Sequence, residues 1–263
     1  MQPNYETLKV HFESNVATIE LNRPDVANAI NGIMAKELKQ VFDQLSNLDD
    51  VKCIILTGAG NAFCSGQDLK EFAGNEEVDI HKILTEQYNP LVLAMRNSPK
   101  IIIGKINGAA AGAGLSLALN CDFTIALESA RFAFSFVNIG LVPDCGASFF
   151  LPRLAGRAKA FELASLGTSF SGREAFELGM VNLVLETQSL LDLKTAEIAG
   201  KYASGPGKSL AMIKSLLNQS FEQSLESMLG LEASYQVEAG ASQDFAEGVK
   251  AFWEKRKPVF KSR

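Results

Sequence analysis

Three short apolar runs, each closed by turn residues and separated from the next by a helical pattern, leave this chain few ways to fold. From Val16 to Leu21 the order Val-Ala-Thr-Ile-Glu-Leu puts Ala17, Ile19 and Leu21 on one face, the period of a half-buried strand, and Asn22-Arg23-Pro24-Asp25 breaks it. Asn31 is placed to cap a helix in which Met34, Leu38, Val41, Leu45 and Leu48 recur at steps of four and three. Cys53 to Thr57 is a continuous apolar run ended by Gly58-Ala-Gly60, and Ile101 to Ile103 is another, ended by Asn107-Gly108; both read as strands buried on two faces. Strand, helix, strand, helix, strand in this order implies parallel pairing through right-handed crossovers, so the amino-terminal two-thirds should be a wound α/β core. After Phe170 helical patterns dominate: Arg173 to Gly179, Leu190 to Ala203, Lys208 to Leu217, Glu222 to Glu238 and Phe245 to Lys255, with only Val181 to Leu185 strand-like. No Pro- or Ser-rich linker intervenes, so one domain with a helical carboxyl-terminal appendage is expected, and such helices often pack on a neighbouring subunit.

At 263 residues the chain can bury a large core without disulfides or a metal. Its 25 Lys+Arg against 30 Asp+Glu give a formal charge of -5, which supplies no general cationic field for nucleic acid or an anionic membrane. Any bound anion must therefore be met by a local pocket. Cys53, Cys64, Cys121 and Cys145 lie far apart with no Cys-x-x-Cys pair, which argues against a zinc site or a secreted disulfide scaffold, and no metal is expected. The amino terminus lacks the basic start and apolar run of a signal peptide, and no stretch approaches the ~20 apolar residues of a membrane span. Lys261-Ser262-Arg263 is not a peroxisomal address, so the reducing cytoplasm is the expected compartment. His11 and His81 fall outside every motif and read as surface residues.

Two glycine-rich turns stand out, Phe63-Cys-Ser-Gly-Gln-Asp-Leu69 and Asn107-Gly-Ala-Ala-Ala-Gly-Ala-Gly-Leu115. The second follows a strand and precedes the apolar run Leu115 to Leu119, so its free N–H groups lie at a helix amino terminus where the dipole favours negative charge. Neither turn has the form of a nucleotide-binding loop. Either they receive an anion, or their small residues only permit close helix–strand packing.

Taken together, Leu21-Asn-Arg-Pro24 with Asn28-Ala29, Leu56-Thr-Gly58, the two glycine turns, Asp122, Gly140-Leu-Val-Pro143 and Ala251-Phe-Trp-Glu-Lys-Arg256 resemble the enoyl-CoA hydratase/isomerase (crotonase) superfamily over nearly the whole chain. The resemblance implies an α/β fold, the crotonase (ClpP-like) spiral of β-β-α units, with residues 1–200 as the spiral core and 201–263 as a helical trimerisation region of the same domain. It implies an acyl-CoA thioester substrate, with coenzyme A as part of the substrate and no further cofactor, and a homotrimer or dimer of trimers. Its oxyanion hole, two backbone N–H groups holding the thioester enolate, falls on Gln67 and Ala113. Ala113 replaces the glycine of the common Gly-Gly-Gly form, but a backbone donor survives that change where the dihedrals are unstrained.

Hydratases of this family hold water between two glutamates, whose positions here are Ser116 and Phe136, neither a carboxylate. One acid, Asp144, instead follows the Gly-Leu-Val-Pro turn directly, which is the site of the single catalytic carboxylate in the isomerases. One is enough, because a base that takes a proton from C2 of a 3-enoyl thioester can return it to C4. An apolar surround would raise a carboxylate that is otherwise a feeble base, at ~3.9, towards usefulness. Without the resemblance, Asp144 reads as a cap for the helix that begins near Gly146. Tyr88-Asn-Pro-Leu-Val92 and Leu151-Pro-Arg-Leu-Ala-Gly-Arg157 look like the branch that isomerises ring-1,2-epoxyphenylacetyl-CoA in phenylacetate breakdown or shifts Δ3 double bonds to Δ2; Ala147-Ser-Phe-Phe150 departs from it. Halobenzoyl-CoA dehalogenation is discounted, since its His and Trp positions are Asn89 and Phe136. By resemblance, Arg23, Val26 and Ala27 contact the CoA phosphates and pantetheine, Cys64, Ser65 and Asp68 lie beside the adenine, and Tyr88 and Phe136 shape the acyl pocket. Phe252 and Lys255 reach a neighbour's CoA, against the alternative of a solvated basic tail. The competing functions are a hydratase using an unrecognised acid and a catalytically silent acyl-CoA-binding protein.

Overall fold

A computed structural model describes residues 5–72 and 78–261, so the extreme chain ends inspected above for targeting signals lie partly outside the described residues. The hairpin β1 (Leu8–Glu13) and β2 (Val16–Leu21) is antiparallel, and the path then enters α1 (Gly32–Ser46). Asn31 caps α1 through its side chain, which accepts from the Met34 N–H, and Met34, Leu38, Val41 and Leu45 are buried; Leu48 lies beyond the helix end and is exposed. β3 (Cys53–Gly58) and β4 (Ala62–Cys64) follow, then α2 (Ile80–Ile83), a π turn over Leu84–Tyr88, and α3 (Asn89–Asn97). The next units are β5 (Ile101–Ile106), β6 (Ala109–Ala111) and α4 (Ala113–Leu119), and then β7 (Phe123–Leu127), β8 (Arg131–Ala133), α5 (Ala147–Ala155) and α6 (Arg157–Leu166). β9 (Ser169–Ser171), α7 (Gly172–Glu177) and β10 (Leu183–Leu185) close the α/β part; α8 (Gln188–Ala203), α9 (Gly207–Gln219), α10 (Leu225–Gly240) and α11 (Gln243–Trp253) form the helical remainder.

Both strands of the β1–β2 hairpin join the larger of two sheets, and each later pair of strands gives one strand to each sheet. The larger has the order β1-β2-β3-β5-β7-β10 and is parallel from β2 onward; the smaller has the order β4-β6-β8-β9, parallel except for the last pair. The strands β3 and β5 are buried on both faces, as their unbroken apolar runs require. The members of the smaller sheet are three residues long and made largely of Ala, Cys, Ser and Phe, too short to show a period; β9 is likewise a strand beyond the one expected after Phe170.

Side-chain amides stitch successive turns of the spiral. Asn107, 7% exposed, donates from Nδ2 to the carbonyls of Gly58 and Gly60 (2.9 Å each) and accepts at Oδ1 from the Gly58 N–H (3.2 Å). Asn28, fully buried, donates to the carbonyls of Ala59 and Ala62 (2.9 Å each). Buried amides that reach backbone groups in this number hold the loop between β3 and β4 in one place.

The helical remainder is tethered by Lys214 of α9, whose ammonium is buried against Asp122 (2.8 Å) and donates to the carbonyls of Met95 and Lys100 (3.1 Å each). Desolvation lowers the Lys214 pKa, and the Asp122 carboxylate offsets part of that. In contrast α10 has no buried residue, and Leu225, Leu229 and Val237 stand exposed. No helix among the described residues is long and apolar enough to cross a membrane.

Candidate active site

The two glycine-rich turns meet. Gly66 (φ 97°) and Gly112 (φ 48°, ψ -128°) both take backbone conformations that L side chains rarely adopt. A Cβ on Gly66 would lie 2.9 Å from the Ala111 carbonyl oxygen and 3.3 Å from the Ala113 nitrogen, so the missing side chain lets the turns touch. The Ile30 N–H donates to the Gly66 carbonyl (2.7 Å) and the Ile30 carbonyl accepts from the Asp68 N–H (2.8 Å). In this bridge the N–H of the intervening Gln67 points away from Ile30. On the other turn, the Gly112 N–H is spent on the Ala133 carbonyl (3.0 Å), and the Gly112 carbonyl accepts from the Ser116 N–H (3.0 Å), which starts α4. Ala113 becomes the first helical residue, and its N–H has no helical acceptor.

Among the described residues neither the Gln67 nor the Ala113 N–H has a protein acceptor, and both residues line one cavity of about 270 Å³. Ala113 has no positive φ, and its methyl group is buried, so the departure from glycine leaves the donor in place. At Gly114, by contrast, a Cβ would sit 2.3 Å from the Cys64 carbonyl oxygen. Close packing and donor exposure therefore coexist in the second turn, at different glycines.

Asp144 enters the same cavity from the loop before α5. The loop is held by Asn120, whose Nδ2 donates to the Cys145 carbonyl (2.9 Å), and Cys145 has φ 51°. The Asp144 side chain does not cap α5: Gly146 occupies the N-cap with no side-chain bond, and only the Asp144 main-chain carbonyl accepts, from the Ala147 N–H (2.9 Å). Oδ1 of Asp144 is hidden from solvent and has no hydrogen-bond partner. Burial raises the Asp144 pKa, opposed in part by the Cys145 thiol and its own backbone N–H. No other described residue lining the cavity is acidic.

The remaining wall is mostly apolar, with Ser135 and Asn138 as polar exceptions. Phe136 (6% exposed) and Tyr88 (2%) line it, together with Ile80, Ile83 and Leu84, which belong to no motif but whose spacing marks one helical face. Ser116 is fully buried in α4 and its hydroxyl donates to the Gly112 carbonyl (3.2 Å), so neither hydratase glutamate position carries an acid.

Of the expected CoA contacts, Ser65 lines the cavity, and Val26 and Ala27 stand beside it: the Ser65 N–H donates to the Ala27 carbonyl (3.0 Å) and its hydroxyl to the Val26 carbonyl (3.3 Å). Arg23 is half-buried, donating to the Ala29 carbonyl (2.6 Å) and to Asp68 (2.8 Å). Burial works against the Asp68 charge, but the Arg23 and Lys70 hydrogen bonds outweigh it and lower its pKa. Asp68 thus braces two loops. Cys64 is fully buried, with its thiol donating to the Asn28 carbonyl (3.2 Å). Phe252 and Lys255 stand apart from the cavity at the end of α11; Phe252 borders a separate hollow against α9 and α10, and Arg256 beside them is paired with Glu247 and Glu254.

Two N–H donors without protein acceptors and one buried carboxylate that line the same, largely apolar cavity can hold an oxyanion while a proton moves beside it. A model of the enoyl-CoA hydratase/isomerase family matches residues 11–263. Over 258 residues the chain is 41% identical to the 1,2-epoxyphenylacetyl-CoA isomerase of Escherichia coli (strain K12), covering 97% of this chain and 98% of that one. It is 38% identical over 262 residues to a Rhodobacter capsulatus protein named as a probable enoyl-CoA hydratase, covering 99% and 100%. The crystal structure of an enoyl-CoA hydratase from Bacillus anthracis superposes with a TM-score of 0.93 at 33% identity, covering 98% of this chain and all of that one. With the spiral of paired sheets, the meeting glycine turns and the matched family model in agreement, this chain belongs to the enoyl-CoA hydratase/isomerase, or crotonase, superfamily.

Proposed function

We propose that this protein is an acyl-CoA isomerase that shifts the double bond of a 3-enoyl-CoA to the 2-position or rearranges a ring-epoxide acyl-CoA. The observation that carries the reading is Asp144: the one acid among the described residues that line a largely apolar cavity, with one carboxylate oxygen buried and unpartnered. The thioester oxygen accepts from the Gln67 and Ala113 N–H groups, which strengthens its pull on electrons as the enolate forms. Asp144 takes the C2 proton, and the C–H electron pair moves into the thioester to give a dienolate. The pair then returns through C2 and C3 to C4, which takes the proton back from Asp144; the double bond ends between C2 and C3 and the carboxylate is regenerated. A pKa raised by burial serves both halves, making Asp144 a better base and keeping the bound proton available.

Hydration is the second reading, favoured by relatives that carry the hydratase name, but it needs acids to hold the water, and Ser116 and Phe136 provide none. Asp144 likewise weighs against a catalytically silent acyl-CoA-binding protein. The test is steady-state turnover of 3-enoyl-CoA, 2-enoyl-CoA and a ring-epoxide acyl-CoA by wild type and Asp144→Asn, which keeps size but cannot act as the base. Isomerisation should fall by ~100- to 10,000-fold in the variant with little change in ester affinity. Rapid hydration of 2-enoyl-CoA by wild type, or near-normal isomerisation by the variant, would overturn the reading.

We also infer a homotrimer or dimer of trimers, in which exposed Leu225, Leu229 and Val237 of α10 are covered and Phe252 and Lys255 reach a neighbour's CoA. The exposed apolar face of α10 supports this. Light scattering at micromolar concentration should find no active monomer.

A further inference from the structure

The Gln67 side chain is held at both ends. Its Oε1 accepts from the Tyr88 hydroxyl (2.5 Å), and its Nε2 donates to Glu71 Oε2 (2.9 Å). Glu71 in turn accepts from the Gly32 N–H at both oxygens (3.0 and 3.2 Å), the first N–H of α1. Tyr88 owes its position to an irregular helix. Pro90 lacks an N–H and its ring would meet the carbonyl of residue 86 in a regular helix; here the Asn89 N–H instead reaches the Leu84 carbonyl, five residues back. The extra residue in that turn changes the direction of the side chains that precede Pro90, and Tyr88 ends up 2% exposed against the cavity.

Nothing in the proposed chemistry requires the Gln67 side chain to touch a substrate, because the donor is the main-chain N–H. We infer that Tyr88 and Glu71 are positioning residues: they grip the Gln67 amide between the π turn before α3 and the start of α1, and so fix the direction of the Gln67 peptide N–H in the oxyanion hole. The inference rests on the reading of that N–H as an oxyanion donor. The Ile30 N–H holds the Gly66 carbonyl of the same peptide (2.7 Å), and the grip adds a restraint on the side chain of the residue that carries the donor. Preorganisation of this kind acts on the transition state more than on ground-state binding, so its loss appears in kcat before KM.

The experiment is a pair of double-mutant cycles, Tyr88→Phe with Gln67→Ala and Glu71→Ala with Gln67→Ala, read as kcat and KM for a 3-enoyl-CoA, with melting curves. Each single variant should lose ~5- to 10-fold in kcat, as expected for the loss of one hydrogen bond, with KM within ~2-fold. Glu71→Gln, which keeps an acceptor oxygen, should recover most of the Glu71→Ala loss. In the Gln67→Ala background, Tyr88→Phe and Glu71→Ala should cost nothing more, because the amide they act through is gone. Full additivity, or a Tyr88→Phe loss confined to KM, overturns the inference and makes Tyr88 a direct substrate contact. Ala113→Pro separates the two levels: if it leaves kcat unchanged, the oxyanion-hole reading itself fails, whereas a slow Ala113→Pro with additive cycles removes only the positioning role.

Discussion

Replacing Ala113 by proline isolates one backbone donor with unusual cleanliness. Ala113 is the first residue of α4, where the N–H has no helical acceptor and a proline is tolerated by the helix. The substitution therefore breaks no hydrogen bond within the protein, and it puts a methylene where the N–H faced the cavity. One preorganised oxyanion donor is worth ~3 kcal/mol, and at ~1.4 kcal/mol per tenfold this predicts a loss of roughly 100- to 200-fold in kcat. Ala113→Gly is the matched control. It keeps the donor but deletes a buried methyl group worth ~0.8 kcal/mol and adds glycine's helix penalty of up to ~1 kcal/mol, so it should melt a few degrees lower and retain kcat within ~3-fold. The expected pattern is a crossing of the two properties, with the glycine variant less stable but active and the proline variant folded but slow. Turnover is followed by absorbance of the conjugated product, and stability by thermal melting. A folded proline variant with wild-type kcat, or equal losses in both variants, would refute the assignment of the donor.

The raised pKa of Asp144 has two further consequences. The acid limb of kcat/KM should lie above the ordinary aspartate value of ~3.9, with activity rising as the base ionises. A folded pKa above the unfolded one contributes stability that is present below ~3.9 and lost as pH rises through the folded value, so Asp144→Asn should melt above wild type at neutral pH and level with it near pH ~4; a variant that melts lower at neutral pH refutes this. Gly66→Ala, at φ 97° and with its Cβ 2.9 Å from the Ala111 carbonyl oxygen, should lose ~1–3 kcal/mol and slow turnover by parting the two glycine turns; a wild-type melting curve and rate would count against the close approach. Lys214→Met leaves the carbonyls of Met95 and Lys100 and the Asp122 carboxylate short of their ammonium, and should cost ~3 kcal/mol by denaturant unfolding. A change under ~1 kcal/mol would mean that α9 is held by its apolar contacts instead.

The sequence made the long elements legible because burial leaves a period or an unbroken apolar run: β2 spans the residues expected of it, and α1 begins at its predicted cap. The smaller sheet left no such trace, since three-residue strands such as Ala109–Ala111 have no period and are fixed by the strands they adjoin in space. At the site, motif residues located Gln67, Ala113 and Asp144, which the fold brings to one cavity. What spacing could not show is which side chains are consumed by the scaffold. Cys64 and Asp68 sit inside a ligand-like motif, yet one thiol and one carboxylate are spent on bracing the loops that carry the donors. The grip on Gln67 was equally hidden, because it depends on a helical irregularity created by Pro90 and on Glu71, which belongs to no motif.

The amide of Asn107 reaches four backbone groups of the neighbouring spiral turn, and the residue after it can only be glycine, since a Cβ on Gly108 would fall 2.0 Å from the Asn61 carbonyl oxygen. Packing has thus imposed the dipeptide in which the following nitrogen most readily attacks the side-chain amide and expels ammonia. In the fold that attack is blocked, because the Asn107 amide is immobilised and buried. Once the chain opens, deamidation replaces a donor to three carbonyls with a carboxylate that repels them, and the spiral turn cannot close again. Unfolding should therefore become irreversible with time spent unfolded, through chemical ageing at one position and independently of aggregation. Mass spectrometry of the peptide containing Asn107, after matched incubations in buffer and in urea, would show a one-dalton gain confined to urea; equal gains in both would mean that the fold gives no protection.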